Sequence, residues 1–247
     1  MAARPVILSP DPGAPFPPAA AALHMPEGLL AIGGDLSPVR LLNAYRHGIF
    51  PWSSAGQPLL WWSPDPRMVF RTGEVRLSTR FRRTLRRSPW TVHADGDFAA
   101  VIDACRTAPR PGQDGTWITP EMRAAYVALH RLGHAHSVEV RDGGRLVGGI
   151  YGVAIGRMFF GESMFARRSD ASKVAFVSML ARLESWGMPL VDCQVPTSHL
   201  ASLGGREIPR AEFLAQVGAL IVFLCSDAAR EITGASLPID DGWTVSP

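Results

Sequence analysis

Between His136 and Phe165 the chain leaves little room for anything but β-structure. His136-Ser137-Val138-Glu139-Val140 alternates in polarity, Asp142-Gly143-Gly144 supplies a turn, and Arg145 to Ala154 resumes an extended apolar run. Met158 to Phe165 follows as another strand-like segment. A two-residue period on either side of a Gly-rich turn reads as an antiparallel hairpin. Helical patterns flank this block. Leu77, Phe81 and Leu85 form one apolar stripe on a helix from Ser78 through Arg87. Further helices are predicted over Asp97 to Arg106 and, opened by Pro120, through Leu132. Beyond the strands, Ala171 to Trp186 is an amphipathic helix with Val174, Phe176, Val177, Leu180 and Leu183 apolar. Pro189 to Val195 reads as a short buried strand, and Ala211 to Cys225 as a final helix. The class is therefore α+β, with a mainly antiparallel sheet flanked by helices.

The first 66 residues differ. Prolines crowd both ends of this stretch, and one short helix is predicted between them. Ser37 offers an N-cap, Pro38 the first helical position, and Leu41, Leu42 and Tyr45 an apolar side before Gly48. The division expected is a small irregular domain over 1–70, a larger domain over 71–217, and a separate tail over 218–247. Of the 247 residues, 47% are hydrophobic and 19% charged, which excludes a disordered chain. Cys105, Cys193 and Cys225 are too few and too scattered for a disulfide framework or a structural zinc site, which fits a reducing cytoplasm. No cationic start leads into an apolar run, and no stretch approaches the roughly 20 apolar residues that span a bilayer. No leader and no membrane partner are expected.

No G-x-x-x-x-G-K-[ST], no G-x-G-x-x-G after a strand and no G-x-S-x-G elbow is present, so neither a kinase nor an ordinary serine hydrolase is supported. His130, His134 and His136 could chelate a metal, but there is no H-E-x-x-H and the helix ends at Gly133. A helix C-terminus that favours cationic side chains explains them more simply, and no metal is expected. Arg76, Arg80, Arg82, Arg83, Arg86 and Arg87 sit on one helix and its entry. Such a run is often only a solvated face. With no acid between Arg80 and Arg87, the phosphate-binding reading is favoured. Trp52, Trp61, Trp62 and Trp117 lie in stretches flanked by Pro or Gly rather than in periodic segments, as interface plugs or as the walls of a pocket. Asp192-Cys193-Gln194 ends a strand. Alternation puts Asp192 and Gln194 on a shared face and Cys193 on the other. An acid beside a carboxamide can accept a proton from an amine and polarise a carbonyl, though a buried Asp satisfied by backbone donors reads equally well.

Taken in order, several stretches resemble the leucyl/phenylalanyl-tRNA–protein transferase family. They begin with Gly28-Leu29-Leu30-Ala31-Ile32-Gly33-Gly34-Asp35-Leu36-Ser37, Gly48-Ile49-Phe50-Pro51-Trp52 and Leu60-Trp61-Trp62-Ser63-Pro64-Asp65-Pro66-Arg67. They continue with Gly115-Thr116-Trp117-Ile118-Thr119, Gly133-His134-Ala135-His136-Ser137-Val138-Glu139 and Phe160-Gly161-Glu162-Ser163-Met164-Phe165. Asp192-Cys193-Gln194 and Ala201-Ser202-Leu203-Gly204 complete the set, and order and spacing fit across Phe16 to Val217. The resemblance implies a small N-terminal domain plus an acetyltransferase-like, GNAT-related domain. It implies transfer of Leu or Phe, and also Met, from aminoacyl-tRNA to the N-terminal Arg or Lys of proteins, which marks them for degradation. No cofactor is implied, because the aminoacyl ester is already activated. Matching position, Asp192 would orient the attacking amine and take its proton, directly or through a water, and Gln194 would join that relay. Glu162 would stand at the pocket for the amino-acid moiety, with Phe159, Met164 and Val191 as its apolar walls. Trp52, Trp117 and Tyr126 would frame the terminal adenosine and the cleft between domains, and the arginine helix would hold the tRNA backbone. A cytoplasmic monomer is expected. One departure is Ala166, where a serine is usual in the family.

From Gly218 the chain resembles instead the C-terminus of short-chain dehydrogenases such as 3-hydroxybutyrate dehydrogenase, with Asp241 replacing a usual glycine. A fusion or frame accident accounts for the join. No Tyr-x-x-x-Lys accompanies it, and Lys173 is the only lysine of the chain. The tail holds one arginine against four acidic residues, which leaves 24 basic against 18 acidic residues before it and favours an RNA partner. A non-catalytic RNA-binding protein is the alternative. It would keep the arginines and tryptophans without needing Asp192 and Gln194 together.

Overall fold

Ser37 caps the first helix as its sequence predicts. Its side chain accepts from Arg40 N, with Pro38 at the first turn of α1 (Pro38–Arg46). The computed structural model describes residues 4–109 and 116–224. Around α1 the chain forms a four-stranded sheet rather than loops alone. Its strands are β1 (Val6–Ile7), β2 (Leu29–Ile32), β3 (Phe50–Pro51) and β4 (Leu60–Trp62), in the order β1-β2-β4-β3. Strands of two to four residues are too short to display a period of two, which is why they escape a pattern search.

The second sheet has seven strands. In chain order the elements are β5 (Arg67–Arg71), α2 (Thr79–Arg87), β6 (Thr91–Ala94), α3 (Phe98–Thr107), α4 (Pro120–Arg131), β7 (Ala135–Asp142), β8 (Arg145–Ile155) and β9 (Met158–Ala166). Then come α5 (Ala171–Ser185), β10 (Leu190–Gln194), α6 (Ser198–Leu203), β11 (Arg206–Ile208) and α7 (Arg210–Leu224). The sheet order is β11-β5-β10-β9-β8-β7-β6, and β5 spans the 70/71 division expected above. All neighbours are antiparallel except β9 and β10, which run parallel. The long hairpin β7–β8 and its extension into β9 are as the alternation predicts, and so are the helices beginning near Ser78, Asp97, Pro120 and Ala171. The α+β class stands on this sheet. The short β5, β6, α6 and β11 carried no pattern long enough to predict.

Each face of the seven-stranded sheet buries its own cluster. On one side Phe98 and Val101 of α3, Met122 and Tyr126 of α4, and Tyr151, Val153 and Phe160 of the sheet join Leu41 and Tyr45 of α1 and Phe213 of α7. The small sheet is thus packed into the same apolar layer as the large one. On the other side Phe176, Met179 and Leu180 of α5 and Phe81 of α2 cover Met68, Phe70, Ile150, Phe159 and Val191. α7 runs without a break through Val217 and Gly218, where the tail assignment begins. The rest of that assignment, residues 225–247, lies outside the described residues.

Gly152 shows how little slack this sheet has. A Cβ there would lie 2.2 Å from the Phe160 carbonyl oxygen and 2.5 Å from the Phe159 ring. Both neighbours belong to β9 and are buried, so neither can swing aside. Gly152→Ala is expected to lower stability by at least the about 1–3 kcal/mol of ordinary overpacking. A thermal melt followed by circular dichroism checks it, with an unchanged midpoint as the contrary result.

Candidate active site

The end of β10 departs from the alternation that places Asp192 and Gln194 on one face. The β10–β5 ladder shifts register between Asp192 and Gln194, and Gln194 takes a left-handed backbone with φ 63°. The bulge turns Cys193 and Gln194 both to the wall of a cavity, while Asp192 is fully buried and absent from that wall. The shared face expected from the sequence is therefore corrected: one extra residue in the ladder inverts the pattern beyond it.

Asp192 is locked where it lies. Arg67 Nε donates to Oδ1 at 2.8 Å and Nη2 to Oδ2 at 2.7 Å, with both side chains at 0% exposure. Oδ1 also accepts from the Gln194 backbone N–H at 2.8 Å. The Arg67 guanidinium carbon lies over the rings of Phe50 and Phe213, 4.8 and 4.6 Å from their centroids. Asp192 thus reaches the cavity through the backbone it pins, not by an exposed oxygen. Burial and the neighbouring Asp192 charge push the Cys193 thiol far up, which leaves it a poor nucleophile.

The cavity measures about 280 Å³. Its apolar lining comes from Phe50, Ile150, Met164, Phe176 and Leu200, and Trp52 and Trp117 stand with them. Its polar wall is Glu162, Ser163, Gln194 and Thr197. Of the residues assigned to substrate, Glu162, Met164, Trp52 and Trp117 line it. Phe159 and Val191 are absent from the lining and lie buried in the cluster under α5; of that buried cluster only Ile150, Phe176 and Leu200 reach the cavity. Tyr126 is fully buried and meets the cavity through Glu162 and through its edge-on ring contact with Trp117, so it does not itself face a nucleoside.

Glu162 is the centre of the polar wall. Tyr45 Oη donates to Oε1 at 2.8 Å, Tyr126 Oη to Oε2 at 2.8 Å, and Gln194 Nε2 to Oε1 at 2.8 Å. The two phenol oxygens lie 2.6 Å apart. Burial pushes the Glu162 carboxyl up to about 7, the Asp192 charge adds to the rise, and the Gln194 amide pulls it down. A carboxylate titrating near neutrality can both take and return a proton. Burial and the Glu162 charge raise both phenols well above their usual range, so they remain protonated donors.

Sequence reasoning missed Tyr45, Arg67, Ile150, Phe176, Thr197 and Leu200. Tyr45 read as one more apolar residue of its helix, and Phe176 as part of the apolar side of another. The histidines turn away from the cavity. His130 stacks on Phe98 and bonds Ala135 O, and His136 bonds Asp95. Among the described residues no group of three or more His, Cys, Asp or Glu is placed to hold a metal ion, and no helix is long and apolar enough to cross a membrane. On α2, Arg80, Arg82, Arg83, Arg86 and Arg87 are all exposed, as is Arg76 before it, while Phe81 anchors the helix. Among the described residues no ion pair engages these six arginines.

The family model described as leucyl/phenylalanyl-tRNA protein transferase matches residues 69–218, and that for its N-terminal domain matches residues 34–65. A leucyl/phenylalanyl-tRNA–protein transferase of Xanthomonas euvesicatoria pv. vesicatoria is 69% identical over 214 residues, covering 87% of this chain and 86% of its own. One of Xylella fastidiosa (strain M23) is 62% identical over 221 residues, covering 90% and 91%. Among solved structures, a GCN5-related N-acetyltransferase from Kribbella flavida aligns with TM-score 0.37 at 14% identity, over 69% of this chain and 60% of its own. L-PGS from Bacillus licheniformis aligns with TM-score 0.36 at 12% identity, over 68% and 54%.

The raised Glu162 carboxyl has a consequence for stability. Its ordinary value is 4.5 and its value in the fold is about 7. The native state therefore holds this proton more tightly than the unfolded chain does. The group's contribution is fully present below pH 4.5 and is lost as pH rises through 7. The loss is on the order of 1–3 kcal/mol. Urea unfolding of wild type and Glu162→Gln between pH 4 and 8 should show that fall in the wild type and not in the variant. Parallel pH profiles would contradict it.

Proposed function

The chain belongs to the leucyl/phenylalanyl-tRNA protein transferase family, and from that membership we propose that it transfers leucine or phenylalanine, and also methionine, from charged tRNA to proteins beginning with Arg or Lys. It does so as a monomer in the cytoplasm, and the added residue marks the acceptor for degradation. The observation that carries this reading is the juxtaposition of a neutral-titrating carboxyl, Glu162, with an apolar cavity walled by tryptophan. The cavity takes an unbranched-at-β apolar side chain against Met164, Ile150 and Leu200. Trp52, 43% exposed, and Trp117 are left to stack on the terminal adenosine.

The chemistry is ester aminolysis. The acceptor's neutral α-amine attacks the carbonyl carbon, a C–N bond forms, and the C–O bond to the terminal ribose breaks. The nitrogen sheds one proton and the ribose oxygen gains one, so the balance closes without a cofactor. Glu162 faces the cavity and takes that proton, with Gln194 beside it donating to its carboxylate. Asp192 contributes by fixing Gln194 through its backbone N–H. The exposed arginines of α2 hold the tRNA backbone. A purely RNA-binding role is not favoured, since it gives no task to the Glu162–Gln194 pair and the relatives are named as transferases.

One incubation tests the reading. Leucyl-tRNA and a peptide beginning with Arg should yield a peptide heavier by one leucine residue in a mass spectrum, and no mass gain would sink it. Gln194→Ala should slow transfer by about 10²-fold, near the lower end for acid–base assistance, while tRNA binding persists. Replacing Arg80, Arg83 and Arg87 by Ala should weaken tRNA binding and reduce its log–log salt slope by about one unit for each phosphate no longer gripped. A short aminoacyl-adenosine donor should be used almost as before. Normal tRNA binding by the triple variant would make the helix a merely solvated face.

A further inference from the structure

Short oxygen–oxygen distances link Tyr45, Tyr126 and Glu162 into a closed ring. Tyr45 Oη meets Glu162 Oε1 at 2.8 Å, Tyr126 Oη meets Oε2 at 2.8 Å, and the two Oη atoms meet at 2.6 Å. Every such approach needs one hydrogen between its oxygens. The two phenols supply two. With Glu162 ionised, both phenol hydrogens point at the carboxylate, and the two Oη atoms face each other across 2.6 Å with lone pairs only. With Glu162 protonated, the count is met. Oε2–H donates to Tyr126, Tyr126 to Tyr45, and Tyr45 to Oε1. Gln194 Nε2 donates to Oε1 in either state.

We infer that Tyr45 and Tyr126 are positioning residues for the transfer step, forming with Glu162 a ring one hydrogen short that closes when Glu162 takes the proton shed by the attacking amine. This rests on the transferase reading above. In that step the proton leaves the nitrogen bonded to the carbonyl carbon and goes to Glu162. It leaves the ring again for the ribose oxygen as the ester C–O bond breaks, and Glu162 returns to its carboxylate. The ring draws on three separate elements, α1, α4 and β9, so the helix of the small N-terminal sheet takes part in the chemistry. The other titratable or charged groups that face it are few. Asp192 on β10 acts on Glu162 by its charge, with Arg67 of β5 forked onto Asp192, and Tyr151 of β8 acts on both phenols.

The ring makes a prediction opposite in sign to that of simple donors. Two hydroxyls that merely donate to a carboxylate favour its ionised form, so losing either would move the Glu162 midpoint to higher pH. A ring that lacks one hydrogen favours the proton, so losing either hydroxyl removes the facing pair and moves the midpoint to lower pH. The measurement is a pH titration of the carboxyl C=O infrared band on the full chain, identified by its loss in Glu162→Gln. Tyr45→Phe and Tyr126→Phe should each shift it down by about one pH unit. A shift upward, or none, overturns the ring, and either variant suffices should the other fail to fold. The band needs no substrate, so it decides the ring even if leucine transfer fails. With leucyl-tRNA, both variants should lower kcat several-fold at neutral pH with KM for tRNA unchanged. Wild-type kcat in both variants, or in Glu162→Gln, overturns the ring's part in the chemistry.

Discussion

Arg67 and Asp192 form an ion pair that no water reaches, and four parts of the molecule converge on it. Arg67 comes from β5 and Asp192 from β10, adjacent strands of the large sheet. Phe50 of the small sheet and Phe213 of α7 both stack against the guanidinium. A buried pair of this kind adds little net stability when intact. Removing one partner costs about 3–5 kcal/mol, because the other charge is left in a dry interior. Arg67 Nη1, buried without a hydrogen-bond partner, is part of what this arrangement tolerates. Its return is geometric: the carboxylate so fixed holds the Gln194 N–H, and Gln194 in turn holds Glu162.

Much of this was legible in the sequence. The hairpin from His136 onward, the capped starts at Ser37 and Ser78, and the helix opened by Pro120 all follow from local chemistry that the fold leaves alone. The strands of the small sheet were hidden because two residues carry no period. The site was half legible. Glu162, Gln194, Met164, Trp52 and Trp117 do meet at one cavity. Phe159, Val191 and Tyr126 do not line it, since each is buried in the packing against the sheet, which no local pattern reveals.

Tyr45 marks the harder limit. Nothing in a stripe of Leu41, Leu42 and Tyr45 distinguishes a core tyrosine from one whose hydroxyl ends at a reactive carboxylate. The distinction lies 117 residues away in sequence, on β9. Arg67 is the same case, bonded across 125 residues to Asp192. Pairings of that separation are written by topology: the antiparallel β5–β10 ladder brings Arg67 to Asp192, and the packing of α1 into the apolar layer on the large sheet brings Tyr45 to Glu162.

The left-handed backbone at Gln194 sets two pressures against each other. A non-glycine residue at φ 63° carries about 1–2 kcal/mol of local strain that glycine would relieve. Drift toward greater stability therefore pulls this position toward glycine, and glycine has no amide to offer Glu162. The carboxamide persists there only against that pull, as a standing cost borne by the rest of the fold. A laboratory selection for heat resistance alone would be drawn to this codon early, and would return a sturdier protein with an emptier pocket wall.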